Sequence, residues 1–201
     1  MKLYHSPQSR SVRPRWLLEE AGATYDLVSL NLEAQDQKRP EYLKLNPNGT
    51  VPTLVDGDLV LFESAAICQY LADKFTAARL APPVGTPARG LYYQWIHYAM
   101  SAIEPPLITI FMHTIRRPEG ERIPRLVEEA RPQLAGALGV VERALAGRTF
   151  LVGEGFTAAD VMVGSTLAWA RMMGMITGDL PATAGYIDRL IARPAYQRAA
   201  A

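Results

Sequence analysis

The sequence predicts an α/β domain followed by an all-helical one. Two observations carry this. Strand-like and helix-like patterns alternate through residues 1–76, and after a Pro- and Gly-rich stretch at 77–87 strand signals stop. From 88 to 201 the apolar residues recur at helical spacing.

Each element has its own reason. Lys2 to Tyr4 is a short strand, and Arg15 to Ala21 a helix closed by Gly22. Tyr25 to Leu30 reads as a second strand and Pro40 to Leu45 as a short helix. Pro52 to Val55 and Leu59 to Phe62 form a hairpin across Asp56-Gly57-Asp58, since Asp-Gly supplies the positive φ that a tight hairpin turn needs. Ser64 to Phe75 closes the domain as a helix. The order βαβ–ββα is the thioredoxin-like plan. Pro82-Pro83 and Gly85-Thr86-Pro87 mark the linker, and helices follow over Ala88–Arg116, Arg122–Ala146, Ala158–Met173 and Thr183–Leu190.

Of the 201 residues, 49% are hydrophobic and 20% charged, which is globular composition and excludes a disordered chain. A net charge of +1 makes no case for nucleic acid or a membrane surface as partner. No signal-peptide h-region opens the chain, and no apolar stretch is long enough to cross a bilayer. A single cysteine, Cys68, rules out an internal disulfide framework and suits a reducing, cytoplasmic setting. It falls among apolar neighbours and reads as inert core. His97 and His113 have no further ligand at metal-binding spacing, so no metal is expected.

Three stretches carry the strongest local signals, two of them functional and the third a folding motif. Asn46-Pro47-Asn48-Gly49-Thr50-Val51-Pro52 is a turn running into a strand whose first residue, proline, has no N–H for the ladder. Glu63-Ser64 stands where a helix must start, so an extended backbone lies beside a helix N-terminus suited to a carboxylate. Phe156-Thr157-Ala158-Ala159-Asp160 reads as a capping box with an apolar staple, which makes Asp160 a folding residue despite its charge.

Together with Lys2 to Gly22, these stretches resemble the glutathione S-transferase family, bacterial-type and serine-dependent with theta-, zeta- and beta-like features, over nearly all of the chain. The resemblance implies glutathione as co-substrate, with Val51 offering backbone groups to its cysteinyl part and Pro52 in cis. It implies that Glu63 and Ser64 clamp the γ-glutamyl end, and that Lys38 and Thr50 lie where a side chain takes the glycyl carboxylate. It also implies a two-fold homodimer.

The loop Tyr4 to Arg15 leaves the first strand for the first helix, the edge at which α/β folds bind ligands. It has no acidic residue, yet Arg10, Arg13 and Arg15 crowd a helix N-terminus, which the macrodipole disfavours unless an anion sits there. A thiolate qualifies, because a free thiol near pKa ~8.5 ionises only slightly at neutral pH and needs a hydrogen-bond donor. Tyr4, Ser6, Ser9 and Ser11 are the hydroxyls at hand. By the resemblance Ser9 occupies the theta- and zeta-like catalytic position, Arg10 replaces the beta-class cysteine, and His5 replaces that loop's tyrosine. Ser11 fits a helix cap, leaving Ser9 as the first candidate and Ser11 as the second. The arginines also read as a solvated patch, Arg15 above all, and His5 as a packing residue.

The electrophile is expected between the Gln8 loop and the first long helix of the second domain. Tyr98, Ser101, Pro105, Ile108 and Met112 share one face of that helix, a stripe that also suits interhelical core. The function expected is transfer of glutathione to a small apolar electrophile. Its alternatives are a glutathione-dependent isomerase or disulfide reductase, and a non-catalytic binding module of the same fold.

Overall fold

The computed structural model describes all 201 residues, which fall into two compact units. The first comprises Met1–Pro82 with Ala192–Ala201, the second Pro83–Ile191.

The first unit contains β1 (Lys2–His5), α1 (Val12–Glu20), β2 (Asp26–Ser29), a 3₁₀ turn at Asp36–Lys38, α2 (Pro40–Leu43), β3 (Thr53–Asp56), β4 (Leu59–Phe62) and α3 (Ser64–Lys74). The sheet order is β2-β1-β3-β4, with β1 parallel to β2 and the other pairs antiparallel. This is the thioredoxin-like arrangement expected of the βαβ–ββα pattern. Leu3 pairs with Leu54, and both are fully buried with Trp16, Leu17 and Leu18 of α1 and Ile67, Cys68 and Leu71 of α3. Strand geometry puts alternate residues on one face, so His5 is buried with Leu3.

Register does more than core content to position the site. Tyr4 pairs with Thr53, and Thr53 with Phe62. The exit of β1, the entry of β3 and the exit of β4 therefore share one end of the sheet. The loop carrying Ser9, the turn carrying Val51–Pro52 and the start of α3 all grow from that end.

The helix expected from Arg15 begins at Val12, with Pro14 accommodated in the first turn, where its missing N–H has no partner to lose. A larger difference concerns the last residues. The sequence places all of 88–201 in the helical domain, whereas residues 192–201 pack with the first unit. Their helix α9 (Pro194–Ala200; α4–α8 precede it in the second unit) lies on α1. Tyr196 meets Trp16 edge-on at 4.9 Å, Arg193 grips Glu20 with two bonds of 2.6 and 2.7 Å, and Arg198 pairs with Glu19 at 2.6 Å. Seven residues make a weak helix alone, so this one owes its stability to packing that no local pattern reports.

The second unit is all-helical: α4 (Pro87–Tyr98), α5 (Glu104–Phe111), α6 (Pro124–Leu145), α7 (Ala158–Met172) and α8 (Pro181–Ile191). Helix α7 is deeply buried, with Val161, Met162, Val163, Leu167 and Ala170 fully inside. The expected helix 88–116 is helical throughout but passes through wide π turns at Ala99–Ile103 and Met112–Arg116. Pro105 and Pro106 explain the first: neither has an N–H for the preceding turn, and their rings crowd its carbonyls. At the α7 N-terminus the Asp160 carboxylate accepts the Thr157 amide at 2.8 Å and hydroxyl at 3.0 Å. It also accepts the Leu151 amide at 3.0 Å and the Tyr186 hydroxyl at 2.7 Å. Asp160 thus serves as the capping-box residue that the motif predicts. No helix is long and apolar enough to cross a membrane.

Candidate functional site

The loop between β1 and α1 is held by its own serines. Gln8 takes a left-handed conformation, φ +55°, which costs a non-glycine residue about 1 kcal/mol and folds the chain back so that Ser9 faces Ser6 and Ser11. The Ser9 hydroxyl lies 2.7 Å from the Ser6 carbonyl and 2.7 Å from the Ser11 hydroxyl, and accepts the Ser11 amide at 3.2 Å. Ser9 as a residue is half-buried. Ser11 is fully buried. Its hydroxyl accepts the Ser6 amide at 3.0 Å and meets His5 Nδ1 at 2.8 Å.

Three expectations change here. Ser11 stands at the N-cap position of α1, but its hydroxyl makes no capping bond, because it turns inward to the loop. Arg13 is not a solvated cation: it is 3% exposed and donates to the Ser64 hydroxyl at 3.2 Å. Arg15 is half-buried, with a guanidinium nitrogen 3.4 Å from His5 Nε2. His5 is a buried packing residue with polar contacts at both ring nitrogens. Burial, with Arg15 adding to it, lowers its pKa from 6.5 to about 4, so the ring is neutral at pH 7.

The second segment is the turn before β3. The Val51–Pro52 peptide bond is cis. The ladder begins only at Thr53, and no hydrogen bond within the chain takes up the Val51 amide or carbonyl. The turn is braced from behind. Tyr42 OH donates to the Thr50 carbonyl at 2.6 Å and Asn46 Nδ2 to the same oxygen at 2.9 Å. Neither brace stands out in the sequence as a functional residue. For Asn46 the one local signal is the Asn-Pro-Asn-Gly turn itself. Thr50 and Lys38 are exposed, and the Lys38 ammonium donates to the Asn48 carbonyl at 3.2 Å. Gly49 lets that lysine lie across the turn: φ is +58°, and a Cβ there would sit 2.7 Å from Nζ.

The third segment is the start of α3. Glu63 is exposed and holds φ +73°, ψ 112°, a strained conformation of a kind that recurs at ligand clamps. Ser64 is 2% exposed and does not cap the helix; its hydroxyl accepts from Arg13 instead. The first helical bond comes from the Ile67 amide, leaving the amides of Ser64, Ala65 and Ala66 at a positive helix end. Cys68, one turn further on, is fully buried, and burial pushes its thiol up to about 12.

In the second unit, Tyr98, Ile108 and Met112 are half-buried and Ser101 and Pro105 exposed, so the stripe is not interhelical core. Tyr98 OH reaches the Ala137 carbonyl at 3.4 Å, and Ser101 turns back to the His97 carbonyl at 2.9 Å. Clefts of about 360 and 410 Å³ open elsewhere in this unit, one beside Arg148 and Arg189 and one beside His113 and Arg122, and none of the five residues lines them.

A thioredoxin-like unit with a cis proline and free amides at a helix start, on a chain that continues into a helical unit, places the protein in a class of two-part folds built on a thioredoxin-like unit. Residues 1–73 match the glutathione S-transferase N-terminal domain and residues 99–194 the C-terminal domain. The chain is 32% identical to glutathione S-transferase 3 of Zea mays over all of its own length and 93% of the relative's. It is 31% identical to the transferase GST-4.5 of Xanthomonas campestris pv. campestris, covering 96% of this chain and 93% of that one. Among solved structures, a sphingomonad glutathione S-transferase complexed with glutathione superposes with a TM-score of 0.87 at 28% identity, over 100% of this chain and 97% of that one. The chain belongs to the glutathione S-transferase family, and these relatives are enzymes.

Proposed function

We propose that the protein binds glutathione across the three segments at this end of the sheet and ionises its thiol for attack on a small apolar electrophile. Val51 pairs with the cysteinyl backbone, and Glu63, Ser64 and the free α3 amides hold the γ-glutamyl end. Lys38 and Thr50 meet the glycyl carboxylate. Ser9 donates to the sulfur. The observation that carries this reading is the contrast between two serines whose hydroxyls lie 2.7 Å apart: Ser9 is half-buried and Ser11 fully buried. A ligand sulfur can reach only the first.

Arg10 and the α1 N-terminus add positive potential to the thiolate. The sole cysteine is sealed in the core with a raised pKa, which disfavours disulfide reduction through a protein thiol. The open stripe Tyr98, Ser101, Pro105, Ile108 and Met112 serves the electrophile. A two-fold homodimer and a cytoplasmic setting go with this reading.

The test is calorimetric titration with glutathione, followed by turnover of a chromogenic aryl halide by the parent and by Ser9→Ala. Binding retained with a rate loss on the order of a hundredfold is expected. The rate deficit should shrink as pH approaches the free thiol's pKa, where solution supplies the thiolate. Absence of glutathione binding would sink the reading.

A further inference from the structure

Four polar residues, the half-buried Ser9 and three behind it, form a chain whose hydrogen bonds run in one direction only. Arg15 begins it. A guanidinium has donors and no acceptor, so at 3.4 Å from His5 Nε2 it requires that nitrogen to be the unprotonated one. The His5 proton is then on Nδ1, which donates to the Ser11 hydroxyl at 2.8 Å. That oxygen has two lone pairs, and the Ser6 amide at 3.0 Å takes the second. It cannot accept a third bond. The 2.7 Å contact between the two serine hydroxyls must therefore run from Ser11 to Ser9, a shorter path for the Ser11 proton than the Ser6 carbonyl at 3.0 Å. Ser9 in turn receives the Ser11 amide at 3.2 Å, which fills its second lone pair. Its own proton is left to point at the Ser6 carbonyl, 2.7 Å away, or at a ligand that takes that carbonyl's place.

We infer that Arg15, His5 and Ser11 form a positioning relay that makes Ser9 a donor-only hydroxyl. This rests on the reading of Ser9 as the thiol's partner. An ordinary serine hydroxyl can either accept from a protonated thiol or donate to a thiolate. Ser9 has no lone pair left for an S–H donor, so only the thiolate completes its bonding, and the thiol proton leaves to solvent. The relay thus shifts the ionisation of a bound thiol without touching it.

The surroundings of His5 support the direction. His5 is 2% exposed, and the groups that meet its ring are Arg15 and Ser11, the latter through its hydroxyl and its backbone. Its low pKa keeps it from carrying a second proton that would face Arg15. Arg15 is the charged group that acts on the His5 ring. Glu19, one turn beyond Arg15, is engaged by Arg198 and by Tyr25. On the strand side, β2 contributes Ser29 opposite His5, and the next residue's amide, that of Leu30, donates to the His5 carbonyl.

The experiment measures the pKa of glutathione's thiol in its complex with the full chain, by ultraviolet absorbance of the thiolate. The variants are His5→Phe, His5→Asn, Ser11→Ala and Ser9→Ala, with thermal melts to establish that each is folded. His5→Phe and Ser11→Ala should each lower the thiolate fraction at neutral pH by about threefold to tenfold, the worth of one hydrogen bond passed on through a neighbour. Glutathione affinity should change far less. His5→Asn, whose amide offers an N–H on the Nδ1 side, should restore most of the loss, which a purely packing role for His5 would not allow. An unaltered thiol pKa in folded His5→Phe and Ser11→Ala, alongside a raised one in Ser9→Ala, overturns the relay and leaves Ser9 in place. An unaltered value in Ser9→Ala as well removes both. If His5→Phe does not fold, Ser11→Ala decides.

Discussion

Arg13 and Ser64 are joined by a buried hydrogen bond of 3.2 Å although 51 positions separate them in the chain. Arg13 rises from the first turn of α1 and Ser64 opens α3. The bond ties the two helix N-termini that grow from one end of the sheet. It also leaves the serine's own O–H and the first amides of α3 as donors that no bond within the chain takes up.

Ser64→Ala should therefore weaken glutathione binding by roughly 1–3 kcal/mol, the cost of leaving a charged carboxylate short of one partner. Titration calorimetry reads this directly. Unchanged affinity would take Ser64 out of the site and leave it as a brace for Arg13 alone.

Asp160→Ala should act on folding. Its carboxylate receives four donors in the buried start of α7, and alanine would orphan the amides of Leu151 and Thr157 and the Tyr186 hydroxyl. Burial raises the pKa of Asp160 against the opposing pull of these bonds. The loss should exceed the ~1 kcal/mol typical of a surface cap and reach about 3 kcal/mol. Urea unfolding measures it. A normal midpoint with lost activity would make Asp160 a catalytic residue instead.

His5 should make the first unit acid-sensitive. Burial and then Arg15 lower its pKa from 6.5 to about 4. Between these values the unfolded chain binds a proton that the folded one refuses, so stability falls as pH drops through that window and is fully present above about 6.5. The loss amounts to about 3 kcal/mol at most by the low end. Unfolding curves at neutral pH and near pH 4 should show His5→Phe losing less on acidification than the parent. Parallel losses would mean that His5 is protonated in the folded state.

Tyr196→Ala should destabilise the first unit by about 1–3 kcal/mol, by uncovering Trp16 and removing an edge-on aromatic pair. Hydrogen exchange at the α1 amides should rise in step. If only the tail exchanges faster, α9 is an appendage and α1 is stable without it.

Much of the site is legible in local patterns. Asn46 to Thr53 announces a turn entering a strand, Asp56-Gly57-Asp58 a hairpin, and Thr157 to Asp160 a capped helix. Each is an arrangement between residues a few positions apart, so its chemistry can be read along the chain. The roles of the serines cannot be read so. Both Ser9 and Ser11 suit a cap or a thiol by residue type, and the cap that spacing favours at Ser11 is absent, because its hydroxyl faces the loop. What separates the two is which side of a folded loop each hydroxyl faces.

The sequence by itself determined the order of strands and helices, the turn chemistry, the family and the set of residues from which a glutathione site would be drawn. These follow from spacing, backbone preference and residue type. Only the tertiary structure decided that Arg13 and Arg15 are buried or half-buried partners and not surface charges. It also decided that Ser11 is sealed behind Ser9, and that the last ten residues return to α1. These arrangements join groups from 2 to 179 positions apart in the chain. Where such groups meet in a desolvated space, a charge or hydroxyl must find a partner at a particular atom. Which partner it finds is set by strand register and helix packing, which no local pattern encodes.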